Sequence, residues 1–504
     1  MKKRALISVS DKTGLLEFAA GLTEHGYEIV STGGTYELLR PLGALNISEV
    51  TDFPEILDGR VKTLHPVIHG GILAVRDNPE HMRTLACHKI STIDMVVVNL
   101  YPFKETIKKP DVTEAEAIEN IDIGGPSMLR SAAKNHAYIA VVVDHADYAS
   151  ILAELADGEI TLETKKLLAA KAFRHTAAYD ALIADYLTKE PYPEKLTLTY
   201  EIKQPLRYGE NPHQNAALYV DPIETPSIIG AKQLHGKELS YNNIADADVT
   251  LTMVQEFDSP AAVAVKHQNP CGVGIGGTIT EAYLRAYEAD PVSIFGGIIA
   301  LNREVDKSCA EKLNEIFVEL IIAPAFSQGA LEILTKKKNL RLLQIDMNKA
   351  SAAKQRISAV SGGLLIQERD NASFDTASLT FPTERKPTEA ELKTARFAWT
   401  CVKYVKSNGI LIARDDMTVG IGPGQTNRVG AAKIALGDAG ERARGAVLAS
   451  DAFFPMPDTV EEAAKAGITV IIQPGGSVKD KDSIDACNKH NIAMIFTGVR
   501  HFKH

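Results

Sequence analysis

Ala261-Ala262-Val263-Ala264-Val265-Lys266-His267-Gln268-Asn269-Pro270-Cys271-Gly272 decides how the rest of this chain is read. Five apolar residues in a row read as a short strand buried on both faces, which Pro270 and Gly272 end. Open α/β sheets hold their ligands at the carboxyl ends of strands, so Lys266 and His267 place a cation and a general base where chemistry is expected. Neighbouring side chains on a strand point to opposite faces, so both serve one site only if the ladder stops at about Val265. Taken alone, the pair fits equally well a solvated lysine beside a capping histidine.

Towards the N-terminus the chain alternates strand and helix. Strands are expected at Arg4–Ser10, Tyr27–Ser31, Asp94–Leu100 and Tyr138–Asp144, with Ile47–Val50 short and extended. Helices are expected at Gly14–His25, Tyr36–Arg40 (capped by Thr35), Glu114–Glu119, Pro126–Asn135, Tyr148–Leu155 and Leu162–Leu187. Met95-Val96-Val97-Val98 and Ile139-Ala140-Val141-Val142-Val143 are runs typical of strands covered on both faces, which implies a parallel sheet between helices. Pro191, Pro193 and Pro205 interrupt the alternation, and Thr188–Pro205 marks the domain boundary. Beyond it, strands are expected at Ile294–Leu301, Gly409–Ala413 and Thr469–Ile472, besides Ala261–Val265. Thr278 and Glu281 form a capping box that opens a helix to about Ala289. About 300 residues of α/β structure exceed one comfortable core, which predicts two subdomains.

Bulk properties narrow the class. The chain has 504 residues, 45% hydrophobic and 24% charged, as in an ordinary globular protein. A net charge of −9 opposes non-specific nucleic-acid binding while leaving anionic small molecules open. Cys87, Cys271, Cys309, Cys401 and Cys487 are scattered without a C-x-x-C pair, which fits a reducing compartment such as the cytoplasm. No run of about 18 apolar residues exists, so no membrane span is expected, and the N-terminus lacks the apolar stretch of an export signal.

Several loops carry polar chemistry. Ser8–Gly14 and Ser31-Thr32-Gly33-Gly34-Thr35 each join a strand to a helix, and with Lys12 they make a phosphate cradle from glycine turns and helix N-termini. Gly59–Pro66 supplies two cations. His65 and His69 are spaced i, i+4, but Pro66 stands where the zincin pattern needs Glu, and Gly70-Gly71 opposes the required helix, so metal is rejected. Asn99-Leu100-Tyr101 brings a phenol to a strand end, and Asp122-Ile123-Gly124-Gly125-Pro126 precedes a helix carrying Arg130 and Lys134 on one face. Each of these is more often a solvated charge when taken singly. In the second part, Leu206–Gln214 offers an arginine suited to anions and a tyrosine suited to stacking. Gly296-Gly297, Gly420–Gln425, Ser450–Pro455 and Gln473–Ser477 are further ligand-admitting loops.

Three other readings compete. Gly272-Val273-Gly274-Ile275-Gly276-Gly277 matches G-x-G-x-x-G, yet Pro270 separates it from the strand and no acidic residue ends a second strand about 20 residues on, which disfavours a nicotinamide-dependent oxidoreductase. Pro270-Cys271 is half of a zinc-deaminase signature, with Gly274 in place of the second cysteine and no preceding H-x-E. A non-enzymatic nucleotide sensor explains the loops but not so many acid–base residues at strand ends.

With these motifs in order, the chain resembles, essentially end to end, the bifunctional purine-biosynthesis enzymes that join phosphoribosylaminoimidazolecarboxamide formyltransferase to inosine monophosphate cyclohydrolase. The resemblance rests on Ser8–Gly14, Ser31–Thr35, Gly59–Pro66, Asn99–Pro102, Asp122–Pro126, Ala133–His136, Leu206–Gln214, Lys266–Gly272, Ser293–Ala300, Ile321–Pro324, Gly420–Gln425 and Ser450–Pro455. It implies an α/β fold: a methylglyoxal-synthase-like parallel-sheet cyclohydrolase domain over residues 1–195, then a formyltransferase domain over residues 196–504 made of two zinc-free cytidine-deaminase-like subdomains. It also implies a cytoplasmic, intertwined homodimer acting on nucleotide and folate substrates. 10-Formyltetrahydrofolate would be the formyl-donor co-substrate, with no transition metal, nicotinamide, nucleic acid or membrane partner.

Carried over position by position, Ser10, Asp11, Lys12, Thr32, Gly33, Gly34, Thr35, Arg60, Thr63 and Asn99 resemble nucleotide-binding positions of the cyclohydrolase, and Lys62, Tyr101, Asp122 and Lys134 its catalytic group. In the transferase, Lys266 and His267 match the catalytic pair. Arg207, Tyr208, Gly296, Glu319 and Arg500 match nucleotide binders. Asn408, Arg428, Phe453, Asp458 and Ser477 match positions lining the same cleft and the folate. Glu319 departs in size from members that carry Asp. The chemistry fits: formyl transfer needs a base, for which His267 is suited, and a donor and an acid, which Asn408 and Lys266 supply. Cyclisation needs orientation and proton transfer without a covalent intermediate. The Gly124-Gly125-Pro126 break is expected to fold Asp122 onto the helix of Lys134 as a proton-transfer pair.

Overall fold

The computed structural model describes residues 2–188, 190–223, 226–348 and 355–504. The chain divides into two compact units, one formed by residues up to Glu201 with Asp221–Ile223, the other by the remainder. Within Thr188–Pro205, Lys189 lies outside the described residues.

The first unit runs β1 (Lys3–Val9), α1 (Leu15–Glu24), β2 (Tyr27–Ser31), α2 (Gly33–Leu39), β3 (Leu45–Asn46), α3 (Ile47–Thr51), α4 (Pro66–Leu73), α5 (Pro79–Cys87), β4 (Met95–Asn99), α6 (Phe103–Ile107), α7 (Glu114–Glu119), α8 (Gly124–Lys134), β5 (Ala140–Val142), α9 (Tyr148–Ala156) and α10 (Leu162–Leu187). Its sheet is parallel throughout, in the order β3-β2-β1-β4-β5. The apolar runs of β1, β4 and β5 are buried between helices, as strands covered on both faces must be.

Two local expectations are corrected. Ile47–Val50 is helical, because Asn46 accepts from Ser48 N (3.0 Å) and Glu49 reaches back to Asn46 N (3.2 Å), a capping box that outweighs β-branched propensity. Thr35 does not cap. The helix starts earlier, at Gly33 after Thr32, and the Thr35 hydroxyl donates to Val9 O (2.9 Å), tying α2 to β1.

The second unit contains β6 (Glu201–Leu206), β7 (Ala216–Val220), β8 (Lys232–His235), α11 (Tyr241–Val254), β9 (Ala261–Lys266), β10 (Asn269–Ile275), α12 (Ile279–Ala289), β11 (Ile298–Leu301), α13 (Lys307–Asn314), β12 (Leu320–Ala323), α14 (Gln328–Leu334) and β13 (Arg341–Gln344). After the hairpin of β14 (Gln355–Val360) and β15 (Gly363–Glu368) come α15 (Glu389–Val402), β16 (Ile410–Arg414), β17 (Met417–Gly422), α16 (Arg428–Ala439), β18 (Val447–Ser450), α17 (Asp458–Lys465), β19 (Val470–Gln473), α18 (Asp480–Lys489) and β20 (Ala493–Phe496). From α11 to β13 and from α15 to β20 the order is the same: helix, hairpin, then three helix–strand pairs.

The two halves share one sheet, β20-β19-β18-β16-β17-β10-β9-β11-β12-β13-β8, joined where β10 and β17 run antiparallel at Gly274 and Met417. They are therefore related by an approximate rotation normal to the sheet. One edge gathers the β9–β10 turn, the amino ends of β11–β13 and the carboxyl ends of β18–β20. The β16–β17 turn lies on the opposite edge.

Pro270 and Gly272 do not end the strand. The chain reverses at His267-Gln268 (φ 54° and 60°), and Pro270 and Gly272 lie in β10, which pairs with β9 across a bulge between those two residues. Lys266 still faces Asn269 in the ladder, so the pairing runs one residue beyond Val265. The glycines that mimicked a dinucleotide loop serve packing. A Cβ on Gly272 would stand 2.0 Å from Ala286 O of α12, and one on Gly420 2.0 Å from Ala435 O of α16. Ile294–Leu301 is a strand only from Ile298. Thr278 caps α12 by accepting from Glu281 N, but the Glu281 carboxylate turns to Gly277 N (2.8 Å), so the box is incomplete. All five cysteines are free, and among the described residues no helix is long and apolar enough to cross a membrane.

Candidate active sites

In the first unit the carboxyl ends of β1, β2 and β4 open on a cavity of about 540 Å³. Ser10 and Lys12 reach it from β1, Thr32, Gly33, Gly34 and Thr35 from β2, and Asn99 and Tyr101 from β4. Arg60, Lys62 and Thr63 enter from the stretch before α4, and Asp122 from the stretch before α8. Asn99 shapes this wall: its Oδ1 accepts from Ser10 N (2.5 Å) and Asp11 N (3.0 Å), and its Nδ2 donates to Asp11 O (2.9 Å). No side chain caps α2, and while the Thr35 and Tyr36 N–H groups donate to Thr32 O, those of Gly33 and Gly34 are left to the cavity; the Lys62 ammonium lies 4.0 Å from where a Cβ on Gly33 would stand. A loop of N–H groups backed by an ammonium suits a phosphate.

Asp122 is the group whose acidity the fold changes most usefully. Burial pushes its carboxyl up, against the lowering effect of the Gly125 and Tyr101 N–H groups and of Lys62. Gly125 N donates to Oδ1 (2.8 Å), and a Cβ on Gly125 would stand 2.4 Å from Oδ2, so only glycine lets the carboxylate fold over the helix start. Beneath it the buried Tyr179 hydroxyl accepts from Asp122 N (2.9 Å) and donates to Asn120 O (3.1 Å).

Two expected residues stand elsewhere. Asp11 does not line the cavity. It accepts from Thr13 N (2.9 Å) and Thr13 Oγ1 (2.7 Å), bonds that hold its carboxyl below its usual range. Lys134 is the exposed last residue of α8, ten residues past Gly124, or about 15 Å at about 1.5 Å per residue. The expected Asp122–Lys134 pair is thus corrected within this chain, because Gly124-Gly125-Pro126 opens the helix instead of folding it back, with Pro126 in the first turn, where its missing N–H costs nothing. Gly70-Gly71 likewise does not prevent α4. Among the described residues no group of three or more His, Cys, Asp or Glu could hold a metal ion. Ser8, at the head of the Ser8–Gly14 loop, also lines the cavity, and the sequence reading missed Asp58, Met128 and Glu119, which line it too. Glu119 pairs with Arg60 across the mouth from 59 positions away, a separation that leaves no local signal.

In the second unit the β9–β10 turn is gripped from below: Asp246 of α11 accepts from His267 N (3.0 Å) and Gln268 N (2.9 Å), and burial pushes its carboxyl up. Lys266 Nζ donates to Phe295 O (2.9 Å), just before Gly296, where the backbone turns at φ 74°. Asn408 stands before β16 on the same edge. Its Nδ2 donates to Gln425 O (2.8 Å), and its Oδ1 accepts from Arg428 Nη2 (2.7 Å).

Arg428 is buried, bonded to Ser450 Oγ (2.8 Å) and ion-paired with the fully buried Asp451. It therefore orients Asn408. Asp451 also accepts from Ser407 Oγ (2.5 Å) and Gly409 N (3.0 Å). Glu319 is tied to buried Arg341 (2.7 Å). Asp458 accepts from Thr459 N (2.8 Å), and Ser477 Oγ from Lys479 N (3.1 Å). Phe453 and Arg500 are exposed, Arg500 lying over Phe502, and Arg207 lies over Tyr208 (5.6 Å). Asp246 and Asp451 escaped the sequence reading, since their partners are distant in sequence.

Residues 132–438 match the family model described as AICARFT/IMPCHase bienzyme, and residues 14–127 match an MGS-like domain. The chain is 65% identical to the bifunctional purine biosynthesis protein PurH of Bacillus cereus (strain B4264), covering 100% of both chains. Its identity to the PurH protein of Bacillus thuringiensis (strain Al Hakam) is 64%, again over 100% of both. The chain belongs to the AICARFT/IMPCHase bienzyme family. It is accordingly a bifunctional formyltransferase and cyclohydrolase of purine biosynthesis. A solved structure described as that of ForH aligns over 37% of this chain and 100% of its own, at 38% identity and a TM-score of 0.34.

Proposed function

We propose that the two activities of this bienzyme occupy two separate sites. The cavity of the first unit would cyclise the formylated aminoimidazole carboxamide ribonucleotide to inosine monophosphate. The edge carrying Lys266, His267 and Asn408 would transfer the formyl group from 10-formyltetrahydrofolate. The buried Asp122 carboxylate, lining the same cavity as Lys62 and pushed by desolvation towards its protonated form, carries the first assignment. The junction of a base-bearing turn with an oriented amide carries the second. A homodimer in the cytoplasm, and a second unit of two zinc-free cytidine-deaminase-like halves, remain part of this reading, the latter supported by the repeated element order.

In transfer, His267 takes the proton from the aromatic amine as its nitrogen attacks the formyl carbon. Lys266 and the second N–H of Asn408 Nδ2 donate to the developing oxyanion, and the ammonium then protonates the departing folate nitrogen. Lys266 spends one of three donors on Phe295 O, and Arg428 fixes which way the Asn408 amide points. In cyclisation, the phosphate sits on the loops of Gly33-Gly34 and Ser10–Lys12. Asp122 accepts the carboxamide proton as nitrogen attacks the formyl carbon, Lys62 steadies the oxyanion, and Tyr101 protonates the hydroxyl that leaves as water.

A coupled assay tests this. The full chain supplied with the aminoimidazole nucleotide and 10-formyltetrahydrofolate should yield inosine monophosphate without added metal or nicotinamide. Asp122→Asn should lower cyclisation by about 10²–10⁴-fold and spare transfer. Because the carboxyl is raised, the parent's cyclisation should fall as acid protonates Asp122, at a higher pH than an ordinary aspartate would allow. Normal cyclisation by Asp122→Asn would remove Asp122 from the mechanism.

A further inference from the structure

The last residues of the chain fold back over the edge that carries His267. His501 N donates to Asp451 O (2.8 Å), Lys503 N to Ser407 Oγ (3.0 Å), and Ser407 N to Lys503 O (2.9 Å). This backbone pairing brings the Lys503 side chain under the β9–β10 turn, where Nζ donates to Tyr404 O (2.9 Å) and Gln268 O (3.3 Å). The Gln268 carbonyl belongs to the residue that follows His267. Asp246 holds the turn by the N–H groups of His267 and Gln268, and Lys503 holds it by the carbonyl.

We propose that Lys503 is a positioning residue for formyl transfer: its ammonium fixes the Gln268 carbonyl, and with it the orientation of His267, without touching substrate. This rests on the reading that His267 is the transferase base. An ammonium bonded to a carbonyl makes a charge-assisted bond, roughly twice as strong as a neutral one. The neutral amine keeps two donors but not that strength.

The surroundings bring the loss of charge into an accessible range. Burial and the repulsion of Lys406 and Arg356 push the Lys503 ammonium down to about 8, with Arg369 adding to the repulsion and Asp248 opposing it. Asp246 faces the same turn from α11. An unfolded lysine keeps its proton to about 10.5. Between about pH 8 and 10.5 the unfolded chain therefore binds more protons at this residue, and the residue makes the fold more stable as pH rises. Transfer lost in that window is opposite in sign to the residue's effect on stability, so unfolding at Lys503 does not explain it.

Three full-length proteins decide the matter: the parent, Lys503→Met and Lys503→Arg, each assayed for transfer and for cyclisation across the alkaline range. Lys503→Met should lower kcat for transfer by about 10-fold or more, with KM for the nucleotide within about threefold and cyclisation unchanged. The parent should lose transfer above about pH 8, whereas Lys503→Arg, always charged, should carry that limb upward. Trp399, the chain's only tryptophan, lies 4.7 Å from the His501 ring, so its emission reports whether the tail stays docked. Where Lys503→Met alters that emission, the alkaline limb of Lys503→Arg alone decides. Unchanged kcat in Lys503→Met with normal emission, or an unmoved limb in Lys503→Arg, overturns the proposal. A parent chain without transfer activity overturns the underlying assignment as well, which an active parent with indifferent variants does not.

Discussion

The two edges of the large sheet share a backbone plan and differ in what they do with charge. Asp451 follows β18 and Asn302 follows β11 at equivalent places, and each N–H reaches back to the start of its hairpin, at Gly409 O and Ala261 O. Asn302 is satisfied locally: its Oδ1 accepts from Ala261 N (2.8 Å), and its Nδ2 donates to Phe257 O and Ser259 O (both 2.8 Å). Asp451 instead holds Arg428, the first residue of α16, whose counterpart on α12 is the buried, apolar Ile279. An amide and an isoleucine close one edge. A carboxylate and a guanidinium on the other extend a network to Asn408. The turns differ in the same sense, since Asp246 anchors His267-Gln268, while Asp416 beside Asp415 makes half-exposed pairs with Lys393 and Arg285. The repeated element order supplies the same scaffold at both edges, and buried charge sets one of them apart.

The sharpest way to break this contrast is to remove Arg428. Arg428→Met leaves Asp451 buried without a counter-ion and should destabilise the protein by about 3–5 kcal/mol in denaturant titration. Copying the quiet edge with Arg428→Ile and Asp451→Asn together should recover much of that stability and still lack normal transfer. A double variant no more stable than the single one would show that the edges are not interchangeable. A smaller effect tests the packing both halves share. Gly272→Ala and Gly420→Ala each push a methyl against a helix carbonyl and should each cost about 1–3 kcal/mol, by similar amounts. Tolerance at only one of them would contradict equivalent helix–sheet packing. The smallest expected effect belongs to the opposite turn. Asp415→Asn, at φ 54° and exposed, should change stability by less than about 0.5 kcal/mol and leave both activities intact.

Legibility followed the range of the interactions. Continuous apolar runs such as Met95–Val98 and long helices such as Leu162–Leu187 announce themselves, because burial and periodicity are local. The loops bearing Ser10, Lys12 and Thr32–Gly34 were readable as βα turns, and the fold draws them around one cavity. Pro270 and Gly272 misled because their breaker character is real in isolation. In β10 the bulge accommodates the proline, and the glycine admits α12. The repeat left few marks beyond the paired glycines of β10 and β17, since Arg428 and Ile279, or Asp451 and Asn302, share a backbone role without sharing chemistry. Lys503, Asp246 and Asp451 were missed because each acts on residues distant in sequence.

The central claim, that the His267 edge performs transfer independently of the cavity around Asp122, is tested most directly by one variant. His267→Asn keeps a residue type that tolerates the left-handed turn while removing the imidazole. Transfer from 10-formyltetrahydrofolate should fall by about 10²–10⁴-fold, while the formylated nucleotide is still cyclised at the parent's rate. Transfer within a few-fold of the parent at every pH, or cyclisation lost together with it, would contradict the account.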